Sequence, residues 1–216
     1  MSADDDRSRS TSIVRAWLGG WIAAVGERRT WLTGLDAAIG DGDHGINLDR
    51  GLTAVASDLE HRDAADEAGE LRAAAGRRLM GVVGGASGAL YGRALLRAGE
   101  AVARDPDPDR LGETALAAAI EAIEQLGKAV PGDKTMLDAL VPALEALAAD
   151  PTPGPARYAR AAEAAAAGAD ATVPLVARKG RASYLGDRSA GHRDPGAASS
   201  TLLVACLARA YAQHPA

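Results

Sequence analysis

The sequence predicts an all-α fold in a single domain spanning residues 1–216. Three observations carry this. Hydrophobic residues make up 47% of the chain but aromatics only 3%, with no Phe, so the apolar mass comes mainly from Ala, Leu and Val. Ala and Leu are the strongest helix formers. Along most of the chain the apolar residues recur at helical spacing, and no convincing strand is seen.

The same composition excludes several classes. A β-sandwich or barrel draws on aromatic and β-branched residues in alternation. Collagen, disorder and a disulfide scaffold do not fit a near-normal apolar content with one Cys. The length suits one domain with a substantial core. With 24 Lys+Arg against 29 Asp+Glu and a net charge of -5, no basic footprint for nucleic acid is expected. Cys206 sits in an apolar run and reads as a small core residue. The acidic N-terminus and the absence of a run of about 18 apolar residues point to a soluble, cytoplasmic protein with no membrane contact.

The elements follow in order. Residues 1–9 are expected to be disordered. Ser10, Thr11 and Ser12 offer helix caps, and Ile13, Val14, Trp17, Leu18, Trp21, Ile22 and Val25 follow at helical spacing. Trp31, Leu32 and Leu35 suggest a short separate helix, ended by the glycine-rich stretch 40–45. Leu48, Leu52, Val55 and Leu59 carry the next helix, and Glu67–Val83 another. After Gly84-Gly85 a helix runs through Leu90, Leu95, Leu96 and Val102 to a turn at Asp105-Pro-Asp-Pro108. Leu111–Leu126 is helical until Pro131-Gly132-Asp133 interrupts. Met136–Leu147 follows, then a loop over 151–155. Tyr158–Val176 reads as an Ala-dense helix with Pro174 near its end. A loop over about 179–194 precedes a last helix from Pro195, a residue suited to a first turn, to Tyr211.

Against this monotonous scaffold, Gly, Asp, His, Ser and Arg gather at a few helix junctions. The first junction contains Asp36, Asp41, Asp43, His44 and Asn47. Its formal G-x-G-x-x-G (Gly40, Gly42, Gly45) lacks a preceding strand, and Asp41 and Asp43 would repel a pyrophosphate, so a dinucleotide fold is rejected. No P-loop sequence exists. Three carboxylates within one glycine-flexed segment, with no soft ligand near, suit a hard cation such as Mg²⁺ or Ca²⁺. The spacing is not that of an EF-hand. Because Mg²⁺ takes few protein carboxylates and favours substrate phosphates, the cluster predicts a phosphorylated ligand bridged through metal; turn-forming aspartates on a solvated loop are the alternative. His44 reads as a ligand, a base or a packed residue, and Asn47 as a cap or a ligand contact. At the second junction, Gly84-Gly-Ala-Ser-Gly88 opens a helix whose free N–H groups suit an anion, or whose glycines permit close packing. The third concentrates Arg178, Lys179, Arg181, Arg188, His192 and Arg193, either an exposed basic loop or a mobile lid over phosphates.

Together, residues 32–47, 84–88, 131–136, 177–186 and 191–196 resemble the nucleotide-binding L subunit of bacterial dihydroxyacetone kinases and the C-terminal domain of single-chain, ATP-dependent ones. The motifs occur in the family's order over nearly the whole chain. Asp187 and Ala190 depart from the usual Glu and Ile. The resemblance implies a single-domain antiparallel eight-helix barrel with ADP or ATP across one end. It implies two Mg²⁺ held by Asp36, Asp41 and Asp43, and nucleotide contacts at His44, Gly45, Ile46, Asn47, Ala86, Ser87, Gly127, Met136, Arg181, Asp194, Pro195 and Gly196. Arg181 and the three aspartates would serve phosphoryl transfer. The implied partners are a K subunit holding dihydroxyacetone and a phosphohistidine M subunit of the phosphotransferase system that recharges bound ADP. A transcription regulator and a second copy of the chain are further implied partners. The alternatives are an ATP-exchanging kinase subunit for another short ketose and a nucleotide-binding regulatory protein.

Overall fold

Every helix of the chain packs on the next in sequence, and the last packs back on the first, so the helices close a ring. The computed structural model describes residues 2–63, 66–105 and 107–215. Among these are α1 (Ala3–Ile39), α2 (His44–Glu60), α3 (Ala68–Val82), α4 (Gly85–Arg104), α5 (Leu111–Gly127), α6 (Leu137–Ala149), α7 (Pro155–Ala171) and α8 (Pro195–Gln213). A 3₁₀ segment, Arg181–Ser189, lies between α7 and α8, and no strand occurs among the described residues. Short connections make most neighbouring helices antiparallel, while residues 172–194 form a longer link from α7 to α8. This is the all-α barrel expected. None of the described helices is long and apolar enough to cross a membrane.

Three boundaries differ from expectation, each for a local reason. The disorder expected over residues 1–9 is corrected for residues 3–9, because α1 already begins at Ala3; Met1 lies outside the described residues. Ser2 and Asp5 form a reciprocal capping box, and Asp4, Asp5 and Asp6 place carboxylates in the first turn, where the helix dipole favours them. Arg9 then pairs with Asp109 at 2.8 Å. The short separate helix around Trp31 is part of α1, since no proline follows Val25 and Gly26 and Gly34 both stay within the helix. The Ala-dense helix ends at Ala171 instead of Val176. Pro174 has no N–H to donate and disfavours helix in the residue before it. The expected turn at 105–108 includes Pro106, outside the described residues.

The core is built where the long helices face the ring's interior. Trp17 and Trp21 stack at 6.4 Å, and Trp21 meets Tyr91 at 5.4 Å. Ala and Gly elsewhere let helices approach closely. Between α1, α4, α5, α6 and α8 remains a cavity of about 40 Å³ lined by Trp17, Leu95, Leu116 and Leu140 among others. Fully buried Arg72 also borders it, its guanidinium 5.1 Å from the Trp17 ring. Burial pulls the pKa of Arg72 down to about 10. The up-and-down order has one consequence for function: α2, α4, α6 and α8 all begin at the same end of the barrel.

Candidate functional site

That end holds a pocket of about 280 Å³. Its wall takes Asp36, Asp41, Asp43 and His44 from the α1–α2 junction, and Ala86 and Ser87 from the start of α4. Gly127 from the end of α5, Met136 before α6, Arg181 of the 3₁₀ segment, and Asp194, Pro195 and Gly196 at the start of α8 complete it. The structure thus gathers four separate junctions at one cavity. Gly45, Ile46 and Asn47 are not among its lining residues. Gly45 faces α1 instead, where a Cβ would come within 2.2 Å of the Arg29 carbonyl oxygen, so only glycine allows this crossing. Ile46 is half exposed, and Asn47 accepts a hydrogen bond from Arg50 at 3.0 Å.

Asp36, Asp41 and Asp43 each offer an oxygen, and the three lie within 4.8 Å of one another. Asp36 is buried and the other two are exposed. One oxygen of Asp36 accepts the backbone N–H groups of Asp43 at 2.8 Å and His44 at 3.0 Å. Asp36 therefore caps the first turn of α2 from the preceding helix and ties the cluster to it. Its other oxygen lies against Gly40, where a Cβ would come within 2.1 Å of it. Three hard oxygen donors without a thiolate fit a magnesium ion.

The helix starts are not equivalent. Asp36 accepts from Asp43 and His44 at the start of α2, and Asp194 caps α8 by accepting from Ala197 at 2.7 Å. The start of α4 has no side-chain cap, so its N–H groups face the pocket unspent, as an anion site requires. Apolar Ile39, Leu90, Ile123, Ala129 and Met136 supply another part of the wall, suited to a flat, uncharged group.

The basic stretch divides on folding. Arg181 and Lys179 line the pocket, Arg178 turns to Asp133 at 3.9 Å, and Arg193 pairs with Asp170. Instead of an open loop, residues 181–189 form a cover pinned by Ala182 and Leu185 packing on Ile39 and Ala177. It is kinked at Gly186 (φ 54°, ψ -132°), a conformation that strains any residue with a Cβ. Ser189 anchors its end, accepting from the Ala177 N–H at 2.8 Å and donating to the Gly186 carbonyl at 2.7 Å.

Lys134 and Tyr91 are not among the expected site residues, yet both line the pocket. Buried Lys134 (φ 63°) donates to the Thr172 carbonyl at 2.6 Å and to the His192 carbonyl, fastening the turn before α6 to the approaches of α8. Burial lowers its pKa, opposed by Asp194 and Asp138. Burial raises Asp194 to about 7, opposed by the Ala197 N–H and by Lys134. Burial also lowers the pKa of His44, opposed by Asp36 and Asp43. The PGDKT turn was the available signal for Lys134; Tyr91 looks like any core aromatic.

The chain matches a profile of the DAK2 domain over residues 38–209. It is 38% identical over 207 residues to the PEP-dependent dihydroxyacetone kinase, ADP-binding subunit DhaL, of Escherichia coli K12, covering 92% of this chain and 98% of that one. An ADP-binding subunit DhaL of Listeria innocua is 41% identical over 192 residues, covering 84% and 86%. The L-erythrulose 1-kinase of Mycolicibacterium smegmatis is 43% identical over 180 residues, which are 80% of this chain but 31% of that enzyme. Among solved structures, the dihydroxyacetone kinase of C. freundii in complex with AMP-PNP and Mg²⁺ superposes with a TM-score of 0.67 at 30% identity, covering 96% of this chain and 34% of that one. Motifs, helical ring and pocket chemistry agree with these likenesses, and the chain belongs to the DAK2 domain family.

Proposed function

We propose that this chain is the ADP-binding subunit of a dihydroxyacetone kinase of the PEP-dependent type. Its pocket would bind the nucleotide, with two Mg²⁺ held by Asp36, Asp41 and Asp43. The observation that carries this reading is the placement of three clustered carboxylates and the uncapped start of α4 in one cavity with an apolar wall. That combination suits a metal-bridged phosphate chain joined to a base. The likeness to free-standing ADP-binding subunits over almost their full length supports a separate subunit.

The chain's own residues account for most of the chemistry. Phosphoryl transfer depends on positioning and charge neutralisation more than on covalent chemistry by the protein. The N–H groups at Ala86 and Ser87 orient phosphate oxygens. Arg181 offers a fork of donors matched to them. The apolar wall excludes water from the base. Bound magnesium would neutralise charge on the phosphates. Dihydroxyacetone would sit on a separate K subunit, and a phosphohistidine M subunit would recharge ADP in place, in the cytoplasm.

Reconstitution tests this. The purified chain with K and M subunits and the phosphotransferase components should phosphorylate dihydroxyacetone from phosphoenolpyruvate, while the chain with ATP alone should not. Turnover by the lone chain would refute the divided site. The likeness to an erythrulose kinase supports a second reading, in which the acceptor is a four-carbon ketose. Exchanging the ketose in the same assay decides it.

A further inference from the structure

Behind His44 lies a closed polar network inside an otherwise apolar wall. His44 Nε2 is 2.9 Å from Ser199 Oγ. Tyr91 Oη is 2.7 Å from Ser199 Oγ and 2.9 Å from Ser200 Oγ. Ser199 Oγ donates to the Gly196 carbonyl at 3.0 Å. His44 is 8% exposed, Tyr91 2%, and both serines 0%, so water does not supply alternative partners. Burial raises the Tyr91 hydroxyl to about 12, so it keeps its proton at neutral pH.

Counting protons gives one solution. A carbonyl only accepts, so the Ser199 proton goes to Gly196. Ser199 then has no proton left and must accept from both Tyr91 and His44. Tyr91 has spent its proton, so Ser200 donates to Tyr91. These four contacts use four protons, and no other assignment satisfies them all; a fifth approach, Tyr91 Oη to the Gly196 carbonyl at 3.4 Å, is longer than a normal O–H···O bond and takes no proton. We propose that Tyr91, Ser199 and Ser200 are positioning residues that hold the His44 ring with a proton on Nε2, turned into the protein, leaving Nδ1 as the ring nitrogen free for the ligand or its bound water. The His44 backbone N–H is meanwhile held by Asp36 at 3.0 Å. One residue thus joins the carboxylate cluster to the first turn of α8, where Gly196 lines the pocket.

This rests on the pocket being the nucleotide site, but its primary readout does not. The His44 ring is assigned by ¹⁵N NMR in the nucleotide-free chain at one fixed pH. The expected wild-type result is Nε2 with the shift of a protonated ring nitrogen. Ser199→Ala, which removes the acceptor, should change the His44 ring shifts; Tyr91→Phe should change them less, and Ser200→Ala least. A wild-type Nε2 with the shift of an unprotonated nitrogen overturns the proposal. So does a Ser199→Ala variant, folded by circular dichroism, whose ring shifts are unchanged. Calorimetry with Mg-ADP is the second measurement. A loss of about tenfold in Ser199→Ala, near 1.4 kcal/mol, is expected. Should the wild type not bind Mg-ADP at all, the nucleotide reading fails while the NMR result still decides the network.

Discussion

Arg181 Nε lies 2.8 Å from a carboxylate oxygen of Asp41, so a cation of the pocket's cover is bonded to a member of the carboxylate cluster. The pair is largely exposed, Arg181 at 68% and Asp41 at 35%, and contributes little to stability. Its interest is competition: metal and guanidinium seek the same carboxylate, and phosphate gives the guanidinium a second partner. Arg181→Gln should therefore bind Mg²⁺ alone severalfold more tightly and Mg-ADP roughly tenfold more weakly. Isothermal titration of both ligands into both proteins measures the two opposite signs. Changes of the same sign would exclude this competition.

The three aspartates should behave unequally. Asp41→Asn and Asp43→Asn should abolish Mg-nucleotide binding and leave the melting temperature within about 2 °C, because both are exposed and surface changes are near neutral. Asp36→Ala should lose binding and also cost about 1–2 kcal/mol of stability, since it removes the cap on Asp43 and His44. Denaturant titration beside calorimetry separates the two effects. Equal stability losses in all three would refute the capping role.

Asp194 makes stability depend on pH in an unusual direction. Its native pKa is raised to about 7, so the native state binds this proton more tightly than the unfolded chain does. The contribution is fully present below about pH 4 and is lost as pH rises through 7. Asp194→Asn lacks this titration and keeps a good capping residue. The stability of the variant relative to wild type should rise between pH 4 and 7. Urea unfolding at several pH values gives the difference, and a flat difference would contradict the buried carboxyl.

The cover offers trypsin several exposed sites, Arg178, Arg181 and Arg188 among them. Mg-ADP should slow cleavage within 178–193 by giving Arg181 a second anchor. Gly186→Ala, strained at φ 54° and ψ -132° by about 1–3 kcal/mol, should raise cleavage in the free chain. Mass spectrometry of the fragments locates the cuts. Identical cleavage with and without Mg-ADP would remove the idea of a closing cover.

Much of this protein was legible before folding was considered. Caps, breaks and period located nearly every helix, because those signals act within a few residues. The errors fell where local signals were weak or mutual. The Ser2–Asp5 box lies in a polar N-terminus without an apolar period, and Gly26 is held helical by its neighbours within the long α1. Asp36, Asp41 and Asp43 stood out because three carboxylates so close in sequence can converge on one cation, as they do here. Lys134 and Tyr91 did not, because a lysine in a turn and a tyrosine in a helix become site residues only through partners far along the chain, such as Thr172 and Ser199.

The sequence by itself therefore determined the helices, the absence of strands among the described residues and the acidic cluster, all set by propensity and short-range spacing. The tertiary structure alone decided that four helix starts share one end, that Asp36 reaches the start of α2 while α4 has no side-chain cap, and that Arg181 reaches Asp41. Those facts depend on ring closure, which brings residues more than a hundred positions apart within hydrogen-bonding distance, and no local periodicity encodes such a meeting.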